Sequence, residues 1–182
     1  MRFRQSLLVA AGLCLGFAAS AAMAQDTPHV KWHSDGTVDL ITDPDYGVTI
    51  HTSQAELGTE FGPGKQPFKG ANISITVNSG GPKGGISGPL YEYRPIWEEL
   101  TGGKVNIVEL PFAEHYTKMM LDLRNGTGTY DAFMVGAFWY GDIVPAGYAY
   151  AIDDLYGSGK YPQWSYDDFP PALKTLHTWG GK

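Results

Sequence analysis

The order of segments between residues 73 and 135 constrains the fold of this chain most strongly. Residues 73–77 alternate apolar and polar side chains, which predicts a β-strand, and residues 104–110 and 130–135 predict two more. A glycine-rich loop and two helix-like segments separate these strands. Parallel strands require helical crossovers of this kind, so the sequence predicts a β-α-β-α-β core and an α/β fold class.

The two helices of this unit can be predicted to different degrees. Residues 113–125 form the clearest helix of the chain and end at Gly126, and four large side chains lie on one face of it, namely Tyr116, Met119, Met120 and Leu123. For the other helix, Pro95 predicts a short element from Pro95 to Thr101. The third strand is strongly apolar, and we therefore expect it at the centre of the sheet.

Ligands of α/β proteins bind where the strands end. Loops that follow parallel strands emerge at one edge of the sheet, and here those loops are residues 79–87, 111–114 and 136–142. The first contains Ser79, Gly80 and Gly81. It is either a flexible surface loop or a set of backbone amides that approach a polar ligand, and it matches neither of the two glycine patterns that bind nucleotide phosphates.

The third loop combines aromatic rings with an acid. Phe138 and Trp139 precede Asp142. Aromatic faces cover the C–H face of a sugar, while a carboxylate accepts hydrogen bonds from its hydroxyls, so this loop is a candidate sugar-binding edge. The alternative is that the rings are ordinary core. Glu114 begins the clearest helix, where a carboxylate also interacts favourably with the helix dipole whatever its other role.

Catalytic and metal-binding patterns are weak. Ser87 lacks the spacing of a nucleophile elbow and is better interpreted as a helix cap. His29 and His33 are four residues apart, but the surrounding Pro28 and Gly36 argue against the helix that such a metal site requires. We interpret all five histidines as non-ligands, and we expect neither a metal nor a cofactor.

The first 24 residues have the features of a cleaved export signal. Arg2 and Arg4 precede an apolar run at residues 7–19, and Ala22 and Ala24 supply small residues before the cleavage site. Cleavage after Ala24 would leave 158 of the 182 residues. Cys14, the chain's one cysteine, lies within the signal after Leu13 rather than after a small residue, so we expect no lipid anchor and no thiol in the mature chain.

The mature chain is acidic. Removal of the two signal arginines changes the formal charge from −6 to −8, which disfavours nucleic acid as a partner. Residues 25–70 are expected to form an N-terminal extension outside the main sheet. Within it, residues 37–42 and 47–52 predict a hairpin around the turn at 43–45, and Ser53 with Glu56 predicts a capping box.

Several blocks of the sequence together resemble one protein family. These blocks are residues 105–111, 121–126, 130–134, 147–148 and 151–155, the last of which reads Ala-Ile-Asp-Asp-Leu. In order and spacing they are similar to the N-terminal lobe of extracellular solute-binding proteins of ABC transporters, family 1, the carbohydrate-type group. The resemblance covers residues 69–182, so we divide the chain into a signal peptide (1–24), an extension (25–70) and an incomplete lobe (71–182).

The resemblance implies a periplasmic-binding-protein-like lobe with a β-α-β-α-β core. Members of this family have two such lobes, and we expect the second one to be absent from this chain. It implies a monomeric periplasmic protein, not an enzyme, that captures a sugar or related polyhydroxylated solute and delivers it to the permease subunits of an ABC transporter. The ligand-binding residues carried over are Ser79, Gly80, Gly81, Glu114, Phe138, Trp139 and Asp142. Two alternatives stay open: an exported carbohydrate-active hydrolase, or a non-functional truncated lobe.

Overall fold

The computed structural model describes residues 28–42, 47–156 and 166–181. The predicted signal peptide and the predicted turn at residues 43–45 lie outside the described residues. Across the described ranges, no helix is both long enough and apolar enough to cross a membrane.

The first part of the described chain forms a small antiparallel sheet. Its strands are β1 (Val30–Trp32), β2 (Thr37–Ile41) and β3 (Thr49–Ser53), in the order β1-β2-β3. The predicted hairpin is confirmed by the pairing of β2 with β3, in which Val38 lies opposite Thr52. Strand β1 was not predicted, because three residues are too few to show an alternating pattern.

A short helix, α1 (Gln54–Leu57), follows β3 and begins with the predicted capping box. The Ser53 hydroxyl oxygen accepts a hydrogen bond from the Glu56 amide at 3.3 Å, and the Glu56 carboxylate accepts one from the Ser53 amide at 2.9 Å. Each side chain therefore satisfies a backbone donor that a helix start leaves without a partner.

A second sheet is parallel and contains the predicted β-α-β-α-β unit. Its strands are β4 (Asn72–Asn78), β5 (Lys104–Leu110) and β6 (Ala132–Phe133), in the order β5-β4-β6. The prediction that the third strand is central is wrong, because β4 lies between the other two. Thr76 and Val77 of β4 are fully buried, whereas Ala132 of β6 is exposed.

Helix α2 (Gly88–Thr101) connects β4 to β5. The prediction that this helix starts at Pro95 is wrong, since Pro95 lies within it. Proline removes one helical hydrogen bond, so packing must compensate for the loss. The next residue, Ile96, is buried in one apolar cluster with Val30 and Val38 of the antiparallel sheet. This contact attaches the antiparallel sheet to α2, outside the parallel sheet.

Helix α3 (Phe112–Asn125) connects β5 to β6 and confirms the clearest helix of the sequence to within one residue. Gly126 ends it with a φ of 61° and donates its amide hydrogen bond to the Asp122 carbonyl, as glycine caps do. Because crossovers are right-handed and the two connections leave in opposite directions along the sheet, α2 and α3 cover opposite faces of it.

The remaining described elements are short. A 3-10 turn (Ala137–Trp139) leads directly into α4 (Tyr140–Ile143), which packs against α3 through the buried residues Met119, Met120 and Ile143. Three further elements follow, namely α5 (Ile152–Tyr156), a 3-10 turn (Tyr166–Asp168) and α6 (Pro171–Leu176).

Candidate functional site

The carboxyl ends of the parallel strands define the candidate site. In the register of β4 and β5, Asn78 lies opposite Leu110, and the Ser79 amide donates to the Leu110 carbonyl at 2.9 Å. The two strands thus end at the same level. The crossover after β4 leads to β5 on one side of it, and the crossover after β5 leads to β6 on the other side. The strand order therefore reverses between β4 and β6, and open α/β sheets form their ligand crevice at such a position. The three predicted loops follow these strand ends.

Four rings meet at this edge, and we call them the aromatic cluster: Phe112, Tyr116, Phe138 and Trp139. The Trp139 ring is central to it. It stacks on Phe112 with a centroid separation of 5.9 Å, meets Phe138 edge-on at 5.1 Å and lies 5.4 Å from Tyr116. Helix α3 therefore supplies two of the rings, and the loop after β6 supplies the other two.

The aromatic cluster has a buried base and an exposed rim. Trp139 and Tyr116 are half-buried and pack against the buried Met119 and its neighbours. Phe112 is 59% exposed and Phe138 is 70% exposed. Rings used only for packing are usually covered, so two large rings held in solvent at a strand-end edge indicate a surface for an apolar face of a ligand.

Asp142 lies beside these rings and is held by one of them. The Tyr116 hydroxyl donates to the Asp142 carboxylate at 2.7 Å, and this hydrogen bond raises the pKa of Tyr116. An ionised carboxylate has about four acceptor positions, so Asp142 can accept ligand hydroxyls as well. The structure therefore brings three of the predicted residues together, namely Phe138, Trp139 and Asp142.

His115 forms the buried floor beneath the aromatic cluster. Its Nδ1 donates to the Asn78 side-chain oxygen at 2.6 Å, its Nε2 accepts from the Thr76 hydroxyl at 2.9 Å, and its ring meets Trp139 edge-on at 5.7 Å. Burial lowers the pKa of His115, which favours the neutral ring that these two bonds require. These partners lie 39 and 37 residues away, so sequence spacing does not predict them, although Thr76 and Asn78 stand out as polar positions of β4.

The glycine-rich loop after β4 is held by a carboxylate that the sequence did not single out. The Gly80 amide donates to Glu109 Oε2 at 3.1 Å, and the Gly81 amide donates to Glu109 Oε1 at 2.9 Å. The Ser87 hydroxyl donates to the Gly81 carbonyl at 2.7 Å. The prediction that Ser87 caps α2 is wrong in its chemistry, because its hydroxyl bonds the loop and makes no cap hydrogen bond.

Glu114 lies in the first turn of α3, as predicted, but in a different setting from the aromatic cluster. Its carboxylate forms an ion pair with Lys118 at 2.7 Å, one turn further along the helix. Both side chains are about half exposed, and pairs of this kind contribute little to stability. The structure therefore places Glu114 on the exposed surface of α3.

A shallow depression of about 300 Å³ lies at the other end of α3. It is lined by Lys118, Leu121, Asp122, Asn125, Thr127, Thr129 and Tyr130. None of the predicted ligand-binding residues lines it. The rings and loops of the candidate site therefore lie apart from this depression.

Comparison with known proteins relates about half of the chain to a polyol-binding protein. The chain is 34% identical over 95 residues to an erythritol/L-threitol-binding protein of Mycolicibacterium smegmatis. The alignment covers 48% of this chain and 19% of that protein. The chain thus spans about a fifth of this relative's length. No family model matches the chain.

One solved structure is also similar. It is an ABC transporter solute-binding protein from Agrobacterium radiobacter K84, in complex with ribitol. The TM-score is 0.45 and the sequence identity is 18%, over 51% of this chain and 22% of that one.

Proposed function

We propose that this chain is part of a solute-binding component of an ABC transporter, which captures a polyol or a related polyhydroxylated solute. The observation that carries the proposal is the 34% identity over 95 residues with an erythritol/L-threitol-binding protein. That relative is a binding protein and not an enzyme, which favours this function over the hydrolase considered from the sequence.

The chemistry of the aromatic cluster supports this choice of ligand. A polyol presents C–H groups and hydroxyls along one short chain, so it needs an apolar surface with an acceptor beside it. Phe112 and Phe138 supply exposed ring surface, and Asp142 supplies a carboxylate that Tyr116 holds in place. Aromatic surface alone would suit many ligands, whereas the adjacent acceptor favours one with hydroxyls.

The chain would contribute one side of the binding site. Solute-binding proteins close two lobes around a ligand, and an open edge on one lobe leaves most of a small ligand in water. In this proposal the protein is exported by the signal at residues 1–24, acts as a monomer in the periplasm, and passes its solute to permease subunits.

Isothermal titration calorimetry on the natural full-length protein, purified from its exported form, tests the proposal. Erythritol, L-threitol and ribitol are the test ligands, and D-glucose is the ring-sugar comparison. We expect saturable binding of at least one polyol with a Kd well below about 1 mM. Absence of binding for all four ligands would contradict the proposed function.

A pair of variants tests the location of the site. Phe138→Ala removes an exposed ring of the aromatic cluster. It is expected to weaken polyol binding about tenfold, because the ring surface that would cover the C–H groups of the ligand is lost, and to change folding little, because the ring is 70% exposed. Tyr93→Ala is the matched control, since Tyr93 is 50% exposed but lies on α2. Equal affinity of the two variants would place the ligand elsewhere.

A further inference from the structure

Glu109 joins three parts of the molecule at the candidate site. It is the penultimate residue of β5, and its carboxylate accepts the amides of Gly80 and Gly81 from the loop after β4. It also accepts the hydroxyl of Tyr91, from the first turn of α2, at 2.8 Å. Three donors from two other segments therefore converge on a single side chain.

The strand register explains why this side chain reaches the loop. Glu109 lies opposite Val77 of β4, and alternate residues of a strand point to opposite faces of the sheet. Thr76 and Asn78 bond to His115 of α3, so Val77 and Glu109 lie on the α2 face. The carboxylate thus stands beside the start of α2, where the loop must turn back.

The three donors favour the ionised form of this carboxylate. The Tyr91 hydroxyl and the Gly80 and Gly81 amides hold the pKa of Glu109 below its usual range. The hydrogen bond between Tyr91 and Glu109 also raises the pKa of Tyr91. Hydrogen bonds to a charged acceptor are about twice as strong as neutral ones. The negative charge, and not only the shape of the side chain, therefore holds the loop.

A loop of this composition needs such a tether. Gly81 has a φ of 67°, and Gly84 approaches Gly80 so closely that a Cβ on Gly84 would lie 2.7 Å from the Gly80 Cα. Glycine loses more conformational freedom on ordering than any other residue. An untethered loop would have to become ordered when ligand binds, which would lower affinity.

We infer that Glu109 is a positioning residue for the polyol site, whose carboxylate fixes residues 79–84 in the conformation that borders the ligand crevice. The inference rests on the proposed function. In this arrangement the Gly80 and Gly81 amides donate to the Glu109 carboxylate and so hold the loop, although the sequence offers them as donors to a ligand. The loop then presents a preformed edge, and Glu109 acts through it without touching the solute.

Amide hydrogen exchange in the absence of any polyol tests the tether directly. Glu109→Gln keeps the size of the side chain and removes its charge, so exchange at Gly80 and Gly81 should become about tenfold faster. Tyr91→Phe removes one of the three donors and should give a smaller increase. Glu92→Gln is the matched control, because it makes the same chemical change on the exposed side of α2.

Calorimetry on the same full-length variants then tests the link to ligand. Glu109→Gln is expected to weaken polyol binding about tenfold, with Tyr91→Phe between it and wild type. Unchanged exchange in both variants would overturn the tether. Faster exchange with unchanged polyol affinity would overturn the positioning role. A wild-type protein that binds no polyol would instead contradict the proposed function, while the exchange data would still decide whether Glu109 holds the loop.

Discussion

The two faces of the parallel sheet are built for different tasks. On the α2 face, Ile96 packs against Val30 and Val38 of the antiparallel sheet, and the neighbouring glycine loop is tied to Glu109. On the α3 face, Met119 and its neighbours support rings whose outer members stand in solvent. The buried apolar residue of α2 is thus covered by the antiparallel sheet, whereas the rings above the apolar cluster of α3 stay exposed at the strand ends.

This difference shows where recognition can arise in a small α/β unit. A face covered by further structure contributes stability, because its apolar groups are already removed from water. A face that ends in exposed rings retains apolar surface that a ligand or partner can cover. We therefore expect substitutions in the apolar cluster of α2 and the antiparallel sheet to change stability alone, and substitutions in the apolar cluster beneath the rings of the α3 face to change both stability and binding. Glu109 is the exception on the α2 face, because it acts on binding through the glycine loop.

The largest expected effect is on the α3 face, at Met119. Met119→Ala should lower the free energy of unfolding by about 2–5 kcal/mol and also weaken polyol binding, because this buried side chain supports Trp139. Val38→Ala, on the other face, should cost about 2 kcal/mol and leave binding unchanged. Denaturant unfolding and calorimetry measure the two quantities.

Leu121→Ala is the control for these variants, since Leu121 is 60% exposed on the same helix as Met119. It should change stability by less than about 0.5 kcal/mol. If Val38→Ala weakened polyol binding as much as Met119→Ala, the division of tasks between the two faces would be refuted.

An intermediate effect is expected at His115, and it depends on pH. Burial lowers the pKa of His115, so the unfolded chain binds a proton more readily than the folded chain. Stability should therefore fall as pH decreases below about 6.5, the ordinary histidine value. Carboxylates with lowered pKa, such as Glu109 and Asp122, lose their contribution only at lower pH, below about 4.

His115→Gln should remove this slope between about pH 6.5 and pH 5 and cost about 1–2 kcal/mol at neutral pH, because Thr76 and Asn78 lose well-placed partners. Thermal melting across the pH range measures both effects. A slope that survives the substitution would assign the pH dependence to other groups.

The smallest expected effect on stability is at Gly136. Its φ of −81° is accessible to alanine, but an added Cβ would meet the ring of Phe138. Because that ring is exposed and can turn aside, Gly136→Ala should change stability by less than about 0.5 kcal/mol while weakening polyol binding. Gly141→Ala is the comparison, since its Cβ would have only an ordinary contact with Trp179 at 3.8 Å. Identical polyol affinities for the two variants would show that Phe138 is not part of the polyol site.

Much of the parallel unit could be predicted from the sequence. Strand β5 matches its predicted bounds, and α3 matches to within one residue, because their patterns are local and sustained. The predicted central position of the third strand is wrong, because the apolar character of residues 130–135 does not determine which strand has two neighbours. The central strand β4 instead alternates polar and apolar residues, and its polar Thr76 and Asn78 are satisfied by the buried His115.

The candidate site was predictable in part for the same reason. Phe138, Trp139 and Asp142 follow a predicted strand and were placed correctly at its edge. Phe112 and Tyr116 completed the aromatic cluster only in the structure, since an aromatic residue at a helix start carries no sign of what it will contact. Glu109 was missed because its partners Gly80 and Gly81 lie 29 and 28 residues away.

The sequence alone therefore determined the α/β class, the principal helix and the concentration of aromatic and acidic residues after the strands. It could do so because periodicity and turn residues act over a few neighbouring positions. The tertiary structure decided the order β5-β4-β6, the burial of His115 and the tether at Glu109. Those features depend on which distant segments pack together, and local spacing does not encode which strand becomes the neighbour of another.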